Sequence, residues 1–462
     1  MPTPKLPKNA MTPTERRATF SLAGIYALRM LGLFLILPVF SLYAQDHLSG
    51  ATPTLIGLAI GAYGLSQAIL QIPFGMLSDR FGRRPIIIIG LVIFAVGSVV
   101  AALSDSITGV IIGRAIQGAG AIAAAVMALA ADLTREEQRT KAMATIGTTI
   151  GLSFAFALIA GPILNVWIGV PGIFWLTAVL ALSGIAVLQI GVPKSVHPRF
   201  HRDTEPLPGR FKEVLADAQL MRLNGGIMAL HMILIASFVA LPLALKDAGL
   251  ASAQHWYIYL PVLLLGIIAM VPFILLGEKR HLLKQVFLGA IIVLGLAELG
   301  LMWAHDSLVV IGFALFLFFT AFNVLEASLP SLISKAAPPA SKGTALGIYS
   351  TGQFLGAFIG GASGGWLYGN YGPSGVFAFC AVVASVWALW AFSMPSPRYL
   401  HDRTLNVGMI SPVQAQLLSS RLMEVPGVVQ AVVIVEEGMA YLKVDNKVLD
   451  EKTLGEFLAV SA

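Results

Sequence analysis

Charge is what this chain has least of. Asp, Glu, Lys and Arg make up 12% of its 462 residues and apolar side chains 57%, against roughly 25% and 45–50% in soluble domains. So few charges cannot cover a water-soluble body of this length, which sets aside a soluble enzyme or binding module. Cysteine is almost missing: Cys380 stands alone inside an apolar run, leaving no pair for a disulfide and no thiolate metal site. A Gly-x-x-x-x-Gly-Lys-Ser/Thr phosphate loop is missing too, so ATP is not the expected energy source. No cofactor and no metal are expected. The first apolar run is too long for a cleaved signal and lacks a small-residue cleavage site, so it reads as a membrane span.

What is present is apolar length. Crossing about 30 Å of hydrocarbon takes roughly 20 residues of apolar helix. Twelve runs meet that need: 20–43, 54–77, 86–103, 107–131, 142–164, 172–191, 224–245, 256–276, 285–304, 307–333, 343–368 and 373–393. Lys and Arg fall in alternate loops: Arg80/Arg83/Arg84, Arg135/Arg139/Lys141, Lys194 to Arg222, Lys279/Arg280/Lys284 and Lys335/Lys342. Lys5, Lys8, Arg16 and Arg17 precede the first run, and the remaining loops hold only Lys246, beside Asp247. The positive-inside bias puts both termini and the middle linker on the cytoplasmic side of a bacterial-type inner membrane. These loops use up the net charge of +6, so no basic face is left for nucleic acid.

The chain repeats itself. Ile72-Pro-Phe-Gly-Met-Leu-Ser-Asp-Arg-Phe-Gly-Arg-Arg-Pro85 has a worn copy in Val271-Pro-Phe-Ile-Leu-Leu-Gly-Glu-Lys-Arg280, with Asp79 and Arg80 matched by Glu278 and Lys279. Lys141-Ala-Met-Ala with Gly147 and Gly151 is echoed by Lys342-Gly-Thr-Ala with Gly347 and Gly352. Two parallel six-span halves, moving against each other, are the expected architecture. The divisions are a tail 1–19, a bundle 20–191, a linker 192–223, a bundle 224–394 and a soluble domain 400–462. That last stretch alternates over 403–409, turns amphipathic over 411–424, and gives strands 428–435 and 439–444 before a helix at 448–459. This β-α-β-β-α order is similar to ferredoxin-like, heavy-metal-associated domains. The turn that carries Cys-x-x-Cys in those domains is Met409-Ile-Ser-Pro412 here, so thiolate metal binding does not carry over. Regulatory docking on the cytoplasmic face and a solubilising appendage both remain open for it.

Gly75-x-x-x-Asp79-Arg80-x-Gly82-Arg83-Arg84 resembles the signature turn of the major facilitator superfamily, in the subgroup of twelve-span exporters that end in a ferredoxin-like domain. The resemblance implies an all-α membrane fold of two six-helix halves plus a small α/β domain. It also implies a latch that shuts the cytoplasmic side: Asp79 faces the positive end of the eleventh span near Gly343-Thr344, while Arg83 and Arg84 pair with Asp132. Arg114, in Gly113-Arg-Ala-Ile-Gln-Gly118, resembles the fourth-span signature tied to proton coupling. Its permanent charge can hold a neighbouring acid ionised in one conformation and release it in another, or it can simply bond backbone carbonyls. Gly147, Gly151, Gly161 and Pro162 resemble the antiporter signature of exporters, although Ser153-Phe-Ala-Phe-Ala157 carries less glycine than the family form.

Charges inside spans are costly, about 2.5–3.5 kcal/mol or more at mid-membrane, and tend to mark function. Glu326, one turn after Asn323, is the candidate proton carrier or substrate contact. Arg29 falls halfway along the first span and needs a cavity or a partner. His231 is a candidate that titrates in a useful range; Glu298 lies in a peripheral span. The expected function is proton-driven efflux of a small amphipathic or hydrophobic compound by a monomer in the bilayer, and the chain is not read as an enzyme. A symporter or facilitator for sugars or carboxylates, and a non-transporting sensor that signals through the tail, stay open.

Overall fold

The computed structural model describes residues 10–193, 211–338, 342–395, 401–408, 410–435, 438–445, 448–451 and 453–454. Lys5, Lys8, Lys194, Met409, most of the linker and half of the 448–459 helix lie outside the described residues. The chain divides into two compact units, Met1–Met394 and Pro395–Ala462.

The first unit is helical: α1 Pro13–Phe34, α2 Phe40–His47, α3 Pro53–Phe81, α4 Arg83–Ala102, α5 Ile107–Ala119, α6 Ala123–Asp132, α7 Glu136–Ile190, α8 Phe211–Ala216, α9 Ala218–Asp247, α10 Trp256–Lys279, α11 Leu283–Ala304, α12 Leu308–Ala336 and α13 Lys342–Phe392. Helices begin where the sequence offers a cap. Thr12 and Glu15 form a capping box ahead of Pro13, and Thr52, Ser106 and Asp217 each accept a backbone N–H, satisfying donors that have no partner within the helix.

Nine stretches of the described residues are long and apolar enough to span a membrane. Two of them hold two crossings each, because α7 turns at Gly169 (φ 67°) and α13 at Gly372 (φ 65°). α1 completes the twelve; Glu15, Arg16, Arg17 and Arg29 keep its hydropathy low. Two spans that read as continuous in the sequence are broken. The first pauses at Leu35–Val39, around Pro38, and the fourth at Gly120–Ile122. A proline has no N–H to give the preceding turn, which accounts for the first break.

The six crossings of α1–α7 form one half and those of α9–α13 the other. Leu22, Ile87, Leu91, Phe94 and Val126 sit in the core of the first. Away from the charged turns the halves meet backbone to backbone: a Cβ on Gly57 would collide with the Gly361 carbonyl, and one on Gly361 would lie 2.6 Å from the Gly57 carbonyl oxygen. Lys246 of α9 pairs with Asp46 of α2 at 3.5 Å at the same end. At mid-depth Phe154 of α7 packs on Phe238, Phe319 and Phe322, each with ring centres 6.2 Å apart.

The second unit carries β1 His401–Asn406, α14 Pro412–Met423, β2 Val428–Ile434 and β3 Met439–Val444. The antiparallel sheet runs β1-β3-β2, with Leu405 opposite Ala440 and Ala431 opposite Leu442. Leu405, Leu422, Val425, Ala440, Leu442 and Val444 form its core. Alternation along β3 puts Ala440, Leu442 and Val444 on one buried face, as a strand with one covered side requires.

Candidate functional site

The charged turn is built as an ion network. α3 ends at Phe81 and Gly82 reverses the chain with φ 94° and ψ 147°, a conformation that side chains disfavour. Arg83 then points back under the turn. Its buried guanidinium bonds Asp79, donates to Ser78 Oγ at 2.9 Å and pairs with Asp132 Oδ2 at 3.4 Å. Gly75 lets α3 approach α6, since a Cβ there would stand 3.2 Å from that of Ala124. Arg84 does not share Asp132 as the sequence suggested. One residue on, it faces another way, toward the end of α7, and donates to the Val192 and Pro193 carbonyls. Arg17 donates to the Ile190 and Gly191 carbonyls at 2.7 and 2.9 Å, so two cations sit where a helix end is partially negative. Arg80 is exposed, 5.3 Å from the Phe81 ring centre. Asp79 is bonded to Arg83, not to Gly343 or Thr344.

Ahead of the first span, Glu15 accepts from the Arg135 backbone and side chain at 2.9 and 2.8 Å. Burial alone would raise its pKa, but the hydrogen bonds from Arg135 and Thr12 outweigh it and hold the carboxyl at about 2.

A buried polar network crosses the middle of the first half. Arg29 donates from Nη2 to Gln67 Oε1 at 2.6 Å and to the Gly120 carbonyl at 3.1 Å. The break in the fourth span exposes that carbonyl. Arg114 donates to Gln117 Oε1 at 2.8 Å and to the Ala59 and Ile60 carbonyls at 3.4 Å. Both guanidiniums lie within 6 Å of the Tyr63 ring centre, at 5.7 and 5.2 Å. Gln67 donates on to Gln71, and Gln117 to Ser98.

In the second half Glu326 and Asn323 are half-buried on α12. Glu326 Oε2, Asn323 Nδ2 and the Tyr349 hydroxyl are buried atoms that find no hydrogen-bond partner. His231 bonds Gln353 at 2.8 Å and lies 6.1 Å from the Phe322 ring. Glu298 is fully buried and accepts from Ser237 at 2.7 Å, in contact with Cys380 through that serine. Gly147 and Gly151 face open space, whereas a Cβ on Gly161 would lie 2.6 Å from the Leu35 carbonyl; Pro162 follows it into the buried side of α7.

The geometry thus gathers Arg29 with Arg114, and Asn323 with Glu326. Tyr63, Gln67, Gln71, Gln117, Tyr349 and Gln353 were missed from the sequence. The glutamines were the available signal: Gln67 and Gln71 stand one turn apart in an otherwise apolar span, where polar side chains seek each other.

The chain belongs to the major facilitator superfamily, whose family model matches residues 22–360 and again 280–434; the YajR YAM domain model matches residues 411–458. It is therefore a membrane transporter of that kind with a small appended domain. It is 48% identical to the inner membrane transport protein YajR of Escherichia coli K12, over 95% of this chain and 96% of that protein. It is 28% identical to the multidrug resistance protein MdtH of Aeromonas hydrophila, over 73% of this chain and 84% of that one. Among solved structures, a bacterial homologue of the human lysosomal transporter Spinster, inward-facing and occupied, matches with a TM-score of 0.68 at 13% identity, covering 83% of this chain and 97% of that one; this likeness concerns the fold.

Proposed function

We propose that the chain exports a small amphipathic compound across an inner membrane in exchange for protons. The basic turns then face the cytoplasm, and the halves, joined at the opposite end by Gly57 and Gly361, stand open inward. The observation that carries the reading is Glu326: a half-buried carboxyl on α12 whose Oε2 has no partner, beside the equally unpartnered Asn323 amide and Tyr349 hydroxyl. Such a group takes a proton when walled from water and releases it when water enters. Arg114 couples the proton to the motion through the α3 carbonyls it holds, and His231 lines the path beside Gln353. The MdtH relative, named for multidrug resistance, supports the outward direction.

Closing the inner face would bring Asp79 to the start of α13 and fill the space now open at Gly147 and Gly151. A potential of 100 mV supplies about 2.3 kcal/mol per charge moved. Turning a 1:99 population into 99:1 takes about 5.5 kcal/mol, so substrate binding and the pH gradient supply the rest. The appended domain acts as a regulatory cytoplasmic module, and the protein works as a monomer.

The test is solute-driven proton movement in proteoliposomes under an imposed pH step. Glu326→Gln should reduce coupled flux at least tenfold, and Asp79→Asn should shift the inward–outward balance. Full coupled flux in Glu326→Gln removes the proton site, and an unshifted balance in Asp79→Asn removes the latch.

A further inference from the structure

One face of α7 changes character along its length. Gly147, Gly151, Phe154 and Leu158 are spaced four, three and four residues apart, which stacks them on one side of the helix. A Cβ on Gly147 or Gly151 would meet nothing within 4 Å among the described residues, so the part of that face nearer the charged turns borders open space. One turn further along, the space is filled. Phe154 is 8% exposed and Leu158 0%, and the Phe154 ring packs against Phe238, Phe319 and Phe322 of the other half.

The contact is a ring seated in a socket. Phe322 lies nearly parallel to Phe154, at 27°, while Phe238 meets it edge-on, at 77°. Phe318 stacks on Phe322 at 8°, and Phe34 backs Phe154 from its own half with ring centres 5.1 Å apart. These are the offset and edge-to-face arrangements that rings prefer, and a layer of phenyl rings carries no polar atom of its own. Polar groups lie on both sides of it. On α12, Asn323 and Glu326 follow Phe322 toward the charged turns, where Glu326 Oε2 and the Tyr349 hydroxyl are buried and unbonded. Toward the opposite end, Tyr259 in the first turn of α10 has its ring centre 6.2 Å from that of Phe238. Its hydroxyl, and Nδ1 of the buried His255 just before α10, find no partner either. Buried polar groups of this kind hold water, whereas a narrow apolar constriction expels it and so closes a path. The rings are the dry step between two polar zones.

We infer that Phe154 is the gate of the transport path. Seated between Phe238, Phe319 and Phe322, it keeps water and protons from the Tyr259 side away from Glu326, and it leaves that socket when the halves part there. This rests on the reading of two halves that open alternately, and names the side chain that stops both sides from being open at once. It also gives a reason for Ser153-Phe-Ala-Phe-Ala157, where the chain carries less glycine than the antiporter signature: a glycine at 154 would leave a hole where the ring layer closes.

The experiment is proton entry into proteoliposomes of the full chain with no solute present, after an imposed pH step, with the potential clamped by valinomycin and potassium. Phe154→Ala should raise proton entry roughly tenfold or more over wild type, because the dry step is lost. Phe154→Leu, which keeps apolar bulk without the ring, should raise it less. A side chain that only biased which way the halves face would not produce this leak, since each state stays shut at one end. Leu91→Ala, in the core of the first half, should lower thermal stability and leave proton entry at the wild-type level. Should Phe154→Ala fail to fold, Phe238→Leu, from the socket side, must still raise entry roughly threefold. Wild-type entry in Phe154→Ala overturns the gate, and so does an equal rise in Leu91→Ala, which would reduce the effect to general loosening. The readout needs neither cargo nor coupled flux. A Glu326→Gln chain that keeps proton coupling sinks the driving-ion reading and leaves the gate intact, and a leak-free Phe154→Ala chain does the reverse.

Discussion

The charged turn at Asp79–Arg84 and its counterpart at Glu278–Leu283 both reverse at a residue of positive φ, but they are built from different chemistry. Gly82 stands nine residues after Pro73 and His281 nine residues after Pro272. Both take a positive φ, 94° and 58°, and His281 is the one described non-glycine residue to do so. The reversal was therefore kept while the side chains around it changed. Arg83 and Arg84, which tie the first turn to Asp79, Asp132 and the end of α7, are replaced by Leu282 and Leu283, with Leu283 buried. The comparison separates what the hairpin needs to turn from what the first hairpin alone does. An ion network ties the first turn; in the second, Leu283 is buried and the Leu282 N–H donates to the Gly277 carbonyl at 3.1 Å.

The largest expected effect breaks the network. Arg83→Ala takes an ion-pair partner from Asp132, whose side chain is 1% exposed, and should cost about 3 kcal/mol. Leu282→Ala in the other turn, where the side chain is only half-buried, should cost less than about 1 kcal/mol. Thermal unfolding in detergent micelles compares the two, and equal losses would mean that the ion network gives the first turn no special rigidity. The neighbouring Glu15–Arg135 pair sharpens the contrast through pH. Glu15→Gln should lose about 2 kcal/mol near neutrality, as for a hydrogen bond to a charged group. Because the folded carboxyl titrates at about 2, below its value in the unfolded chain, its contribution is present above about pH 4.5 and fades as pH falls toward 2. The gap between variant and wild type should therefore close on acidification; a gap that widens instead would contradict the pairing.

Much of this was legible in the sequence, for identifiable reasons. Span length and loop charge are read by a solvent that tolerates neither unpaired backbone nor stray ions, so twelve crossings follow from counting. In the tail, the ends of β1, α14, β2 and β3 fall within three residues of the expected ones, most closely where Ser411-Pro412 and Pro426-Gly427 punctuate the chain. Partner choice was not legible. Asp79 and Arg84 had more than one acceptor or donor within reach, and which one wins depends on helix facing and on conformational state. Tyr63 became the meeting point of Arg29 and Arg114 only because α1, α3 and α5 converge there, and no spacing within one helix announces that convergence. The breaks at Leu35–Val39 and Gly120–Ile122 were hidden too, since an apolar run looks the same whether straight or bent.

The smallest effects test how far the two reversals can exchange their central residues. A β-carbon at φ 94° with extended ψ is strained by roughly 1–3 kcal/mol, so Gly82→His should destabilise by about 2 kcal/mol even though histidine is the residue that the second turn uses. The reciprocal His281→Gly relieves left-handed strain but gives the unfolded chain more freedom and loses the histidine's own contacts, leaving a net loss of about 1 kcal/mol. The asymmetry is the point: φ 58° is a conformation that a polar side chain tolerates and the Gly82 geometry is not. If Gly82→His proves as harmless as His281→Gly, the first turn has room to relax to the second turn's angles. The difference between the hairpins would then lie wholly in Arg83 and Arg84.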